Sequence, residues 1–378
     1  MQEEFNRENT EEILQNEESS RFDGIQPEAE AELIERERQS AAKKKLRFAA
    51  SHVGWATALL VGAWMVTLVV ASVIAGFGGA SGVAFYNKYL LILNEVTLSV
   101  GIAVALLVLL SVPRVVLHKE KITAGGFMKI LAMCFGAGYV GNLIGTFMLG
   151  IWNGVTGNSV GDELVTLLDG MDPFVMFISV GILAPILEEL FFRKLLIDRL
   201  RVFGETTAIL ITAILFALFH MSASQLIYAF TIGVLLGYFY CRTGNYPLTV
   251  LIHAIFNTVS GVIPVLFLPK ISAFETAMAE LEASIPADAA IDQMAEMMMP
   301  VLQEYGLALG LYILYALVIF AFNLTGVVFL IRNFKKFRER KGEFSLPAKV
   351  TAKTVCKTGG MIVCAVLLVF LTVTSLFS

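Results

Sequence analysis

Nine apolar runs, each near the length that crosses a bilayer, decide what this chain can fold into. They lie at about 52–76, 88–112, 127–151, 173–197, 206–222, 224–241, 246–268, 305–332 and 358–377. A hydrocarbon core about 30 Å thick takes roughly 20 helical residues to span. Inside it each backbone N–H and C=O must pair within its own segment, so runs of this kind become helices. The expected fold class is all-α: a polytopic transmembrane helix bundle of about nine spans. The fifth and sixth runs are short and closely spaced, and a count lower by two is the alternative. Composition agrees, since 57% of the 378 residues are hydrophobic and the mean hydropathy is +0.74, above the roughly 45–50% apolar content of soluble domains.

The formal net charge of −4 hides a segregation. Residues 1–50 are first acidic and polar, then basic from Arg36 to Arg47, which predicts a disordered cytosolic tail leading into a basic helix at an anionic leaflet. Nothing there resembles a cleaved signal peptide. Base-rich and base-poor connections then alternate. Arg114, Lys119 and Lys121 mark the second, Arg193 to Arg201 the fourth, Arg242 the sixth, and Arg332 to Lys357 the eighth. By the positive-inside rule the N-terminus is expected in the cytosol and the C-terminus outside. The domain order follows: tail 1–50, three spans in 51–172, a core at 173–268, an extracytoplasmic amphipathic connector at 269–304, and two C-terminal spans in 305–378. The connector is rich in Met, Ala and acids and predicts one or two surface helices. No basic field covers a fold, so nucleic acid is not an expected partner. Cys134, Cys241, Cys356 and Cys364 have no knuckle or disulfide spacing and read as packing residues. With no internal repeat, an inverted-repeat transporter has no positive support.

The core contains Leu187-Glu188-Glu189-Leu190-Phe191-Phe192-Arg193 at the end of an apolar run. A charge at the bilayer centre costs roughly 2.5–3.5 kcal/mol, and intramembrane ionisable groups are functional candidates by default. Glu189 and Arg193, four apart, share a helix face and can pair. Glu188 is then left to a different neighbour. His220 closes Phe216-x-x-x-His220 and His253 opens His253-x-x-x-Asn257, again one helical turn each. Glu189 lies about 15 residues before the turn at Gly204 and His220 about 16 after it, so an antiparallel hairpin places them level. His253 fits this count less well. Unequal tilts, a lateral stretch at 222–228 or a protruding fourth helix are the alternatives. His52 and His118 fall at membrane ends, and Glu95, in the outer half of the second span, carries lower weight. Carboxylate, two imidazoles and an amide suit two chemistries. One is water activation with oxyanion stabilisation; the other is a His/Glu metal site, zinc for example.

These residues resemble the three motifs of the CPBP family of intramembrane proteases: Glu188-Glu189-x-x-x-Arg193, Phe216-x-x-x-His220 and His253-x-x-x-Asn257, in that order and without departure at the motif positions. The family includes CAAX-type prenyl endopeptidases and bacterial Abi or bacteriocin-processing and immunity proteins. The resemblance covers about residues 170–265. It implies that Glu188, assisted by His220, activates water, that His253 and Asn257 stabilise the oxyanion, and that Glu189 pairs with Arg193 or contributes directly. Arg193 and Phe216 are the structural supports. It implies a membrane-embedded or membrane-tethered peptide substrate, prenylated or leader-bearing, in a bacterial cytoplasmic membrane. The family has been described both with and without a metal. A divalent ion would fall to Glu188, His220 and His253, with metal-independent hydrolysis slightly favoured because the site is already complete. The competing readings are a non-enzymatic bacteriocin-immunity or scaffold protein of the same fold, and a proton-coupled transporter.

Overall fold

A computed structural model describes residues 26–157, 171–286, 290–337 and 339–377, with backbone alone at 80, 82–88 and 336. The acidic tail through residue 25 and most of the connector 152–172 lie outside the described residues. Every one of the nine apolar runs is helical, and no strand occurs among the described residues. Among the described residues seven helices are long and apolar enough to cross a membrane: α1 (Pro27–Gly79), α2 (Tyr89–Leu109), α3 (Ala124–Thr156), α4 (Pro173–Phe203), α6 (Leu226–Thr243), α7 (Tyr246–Ser284) and α8 (Ile291–Asn333). Between α4 and α6 stands the shorter α5 (Glu205–Phe219), and α9 (Ala348–Val355) with α10 (Gly359–Thr374) makes a pair bent by 78° that counts as an eighth span. The chain is therefore an all-α polytopic bundle. At 15 residues α5 is about 22 Å long, too short to cross alone.

Local chemistry sets the joints. The helix through Pro27–Leu109 breaks at Gly79, whose φ of 55° and ψ of −142° suit only glycine. The two halves then fold back on each other, and Thr67 Oγ1 meets Thr97 Oγ1 at 2.5 Å. At the start of α4 the Asp172 carboxylate accepts from the N–H groups of Phe174 and Val175, at 2.9 and 3.0 Å, with Pro173 at the first helical position. Pro286 forces Ile285 to an extended backbone and ends α7. The expected surface helices of the connector are accordingly the continuations of α7 and α8. Good helix formers carry both spans on past the membrane, and only the proline stops the first. Helices α3 and α8 cross closely at two glycines, where a Cβ on Gly326 would meet the Ala132 carbonyl oxygen at 1.8 Å.

The base-rich connections gather at one end of the bundle. Val115 N–H donates to Asp198 O at 2.6 Å, and Glu120 N–H to Thr243 O at 2.7 Å. Glu205, buried, takes Arg201 on Oε1 at 3.0 Å, and its Oε2 takes Arg242 at 2.8 Å and accepts from Arg340 N–H at 2.9 Å. Phe344 caps this end, with Lys45 of α1 3.6 Å above its ring.

Candidate active site

Helix α4 is not uniformly α. It is π-helical over Phe177–Leu183 and Leu190–Ile197, with the two glutamates in the short α-helical stretch Ala184–Glu189 between. In the first π stretch Ala184 N–H bonds back five residues to Ser179 O. In that register the partner of Val180 O is position 185, which is Pro185 and has no N–H. The freed carbonyl accepts from Asn257 Nδ2 at 3.1 Å. Proline, π-turn and the third-motif amide thus lock α4 to α7.

Adjacent positions on a helix face about 100° apart, and the two glutamates part accordingly. Glu189 points into the protein, fully buried. Its Oε2 lies 3.1 Å from Arg193 Nε, also fully buried, and its Oε1 is 3.0 Å from His253 Nδ1. A carboxylate only accepts, so Nδ1 of His253 carries the hydrogen. Its Nε2 faces the other way, 3.9 Å from Glu188 Oε2. Glu188 does not join the pair. It lines a cavity of about 510 Å³ with His220, His253, Asn257, Phe216 and Glu95, within the usual range for ligand pockets. Its Oε2 has no hydrogen-bond partner.

His220 ends α5. Its Nδ1 is 2.8 Å from Phe216 O; the carbonyl can only accept, so the neutral ring keeps a lone pair on Nε2. Met221 follows at φ 50°, a left-handed conformation that stops the helix there. Residues 220–225 turn within the bundle, where non-helical backbone is tolerated because it borders a cavity. Phe216 ties the motifs together. Its ring meets His220 at 4.8 Å and His253 at 5.7 Å, and the Arg193 guanidinium lies 4.8 Å over it.

All seven motif residues therefore converge, with Glu189 and Arg193 behind the cavity and the others on its wall. The depth mismatch of His253 resolves through the protruding fourth helix. Tyr246, at the start of α7, donates to Ile186 O at 2.9 Å. Helix α7 thus begins deep beside the glutamates, while α4 continues to Phe203. Sequence reasoning underweighted Glu95: this buried carboxylate of α2 is 6% exposed, lines the same cavity and has an Oε2 without a partner. Its position as an acid in an apolar run was the available signal. The set Glu188, His220 and His253 does not gather as a ligand group, and no three His, Cys, Asp or Glu side chains do so among the described residues.

Residues 170–259 match the family model described as Rce1-like, type II CAAX prenyl endopeptidase Rce1-like. The match spans about a quarter of the chain and contains all three motifs. Over those residues the chain is similar to the core of a CAAX-type intramembrane endopeptidase of the CPBP family. No curated protein and no solved structure matches the chain.

Proposed function

We propose that this chain, built around the core of a CPBP-family intramembrane protease, hydrolyses a peptide bond of a membrane-associated substrate with Glu188 as the general base. The observation that carries the reading is the division of the two glutamates. Glu188 faces the cavity unpartnered, and Glu189 is committed to Arg193 and His253.

The chemistry follows from that division. A water in the cavity donates one hydrogen bond to Glu188 and one to the Nε2 lone pair of His220. Its oxygen attacks the scissile carbonyl carbon while its proton passes to Glu188. The carbonyl oxygen becomes an oxyanion, accepting from Asn257 and, when Nε2 of His253 carries a hydrogen, from that N–H as well. Glu189 holds the far nitrogen of the His253 ring. Preorganised donors of this kind are worth roughly 2.7–4 kcal/mol each where measured. The C–N bond then breaks, and the proton on Glu188 moves to the leaving nitrogen, so amine and carboxyl products balance the water consumed. Phe216 and Arg193 hold the imidazoles and Glu189 in register.

The test compares membrane proteomes of cells carrying the wild-type chain or Glu188→Gln at equal abundance. Peptides whose new termini vanish with the variant identify the substrate. An unchanged terminome with a Gln variant that still performs the cellular role would move the protein to the non-enzymatic reading.

A further inference from the structure

Two helices of the site carry the same device. In α4 the π-turn over Phe177–Leu183 leaves Val180 O to Asn257, because its backbone partner would be Pro185. Helix α7 repeats this directly after Asn257. Residues Thr258–Val262 are π-helical, and Ile263 N–H bonds back five residues to Thr258 O. In that register the partner of Val259 O is position 264, which is Pro264 and has no N–H. The carbonyl accepts instead from the hydroxyl of Tyr315, on α8. An open carbonyl at membrane depth is costly, so each bond stabilises a turn that the backbone alone cannot satisfy.

The two turns pack on each other. Gly181 of the first has no room for a side chain, since a Cβ there would lie 2.8 Å from Thr258 Oγ1 of the second. Asn257 stands at this contact. Val180 O only accepts, so the end of the Asn257 amide that faces it is the NH2 group. One hydrogen of that nitrogen is used there, at 3.1 Å. A second hydrogen remains on it, and Asn257 lines the cavity. The aim of that hydrogen follows the rotation of α7 at Asn257, which the π-turn beginning one residue later sets. Tyr315 is itself held by a ring stack. Its ring lies 6.3 Å from that of Phe267 and 6.3 Å from that of Tyr312, at interplanar angles of 26° and 28°.

We propose that Tyr315 is a positioning residue for the hydrolytic step: by holding the π-turn at Val259 and Pro264, its hydroxyl aims Asn257 Nδ2–H at the oxyanion. This deepens the protease reading and rests on it for the role of Asn257. It also brings α8, which lies beyond the matched residues 170–259, into the working site.

A double-mutant cycle with Asn257 tests the proposal. The readout is the rate at which the Glu188-dependent peptide termini appear in cells after the chain is induced, per folded molecule. Tyr315→Phe keeps the ring stack and removes only the donor. Its rate should fall about ten- to hundredfold, as a misplacement of about 1 Å can produce. Asn257→Ala should fall by about 10²–10³-fold, the effect of losing one oxyanion donor. The double variant should be no slower than Asn257→Ala alone, because Tyr315 acts through Asn257, whereas a merely structural residue multiplies its loss onto the other. Tyr312→Phe takes a hydroxyl from the same stack and should keep the wild-type rate. If Tyr315→Phe does not accumulate in the membrane, Phe267→Leu, which loosens the stack and leaves the hydroxyl, takes its place in the cycle. A wild-type rate for Tyr315→Phe, an equal loss in Tyr312→Phe, or a multiplied loss in the double variant overturns the proposal while leaving the hydrolytic reading untouched. Failure of the hydrolytic reading appears instead as a Glu188→Gln terminome identical to wild type, and takes this proposal with it.

Discussion

The two ends of the bundle treat their carboxylates in opposite ways. At the base-rich end the two buried acids Asp198 and Glu205 have both oxygens engaged. Asp198 accepts from the Tyr240 hydroxyl at 2.7 Å and takes Lys194 at 2.9 Å, and Glu205 holds two arginines and a backbone N–H. In the cavity Glu188 and Glu95 each keep an oxygen with no partner. Between these regions Glu189 is fully buried, one residue from Glu188, with Oε1 bonded to His253 and Oε2 ion-paired with Arg193 without a hydrogen bond. The contrast separates acids that hold the fold from acids reserved for a ligand. Neighbouring positions on one helix fall on different sides of that line.

Four substitutions sharpen or break the contrast. Glu188→Gln should lower cleavage by roughly 10²–10⁴-fold, the usual contribution of a general base, with no drop in the thermal unfolding midpoint in detergent. A midpoint that falls as far as that of the Glu189 variant would return Glu188 to the structural class. Glu189→Gln leaves the Arg193 guanidinium buried without its counter-charge. The expected loss is about 3–5 kcal/mol by denaturant titration, and adding Arg193→Met should recover much of it, because replacing both partners of a buried pair is often neutral. Glu205→Gln removes the acceptor of two partly screened arginines. It should cost about 1–2 kcal/mol, less at high salt, and make the Phe344 loop easier to nick by protease, while turnover per folded molecule stays unchanged. Phe216→Leu keeps the apolar volume but loses edge-to-face contacts worth roughly 0.5–1.5 kcal/mol. A several-fold fall in turnover at nearly wild-type stability is expected, and no fall at all would remove Phe216 from the positioning residues.

Much of the site was legible because helical spacing is a local property. A spacing of four from Glu189 to Arg193, from Phe216 to His220 and from His253 to Asn257 places each pair on one face, and the structure keeps the first as an ion pair. The link between Glu189 and His253 was not legible. The two are 64 positions apart, across two turns and a helix start whose depth no hydropathy pattern fixes. Glu95 was underweighted for the same reason, since a second-span acid meets the third motif only once α2 packs against α4 and α7. The bond from Asn257 to Val180 depended on a π-turn, which has no sequence signature beyond Pro185.

By itself the sequence determined that this chain is a membrane helix bundle, where its helices run and which ionisable groups they bury. A bilayer leaves the backbone no other way to pair its hydrogen bonds, and each costly charge is visible one residue at a time. Tertiary structure alone decided which of two adjacent glutamates faces the cavity and which holds His253. Those outcomes depend on relative helix depth and rotation, which are set by packing at Gly136 and Gly326, by the protrusion of α4 and by the early start of α7.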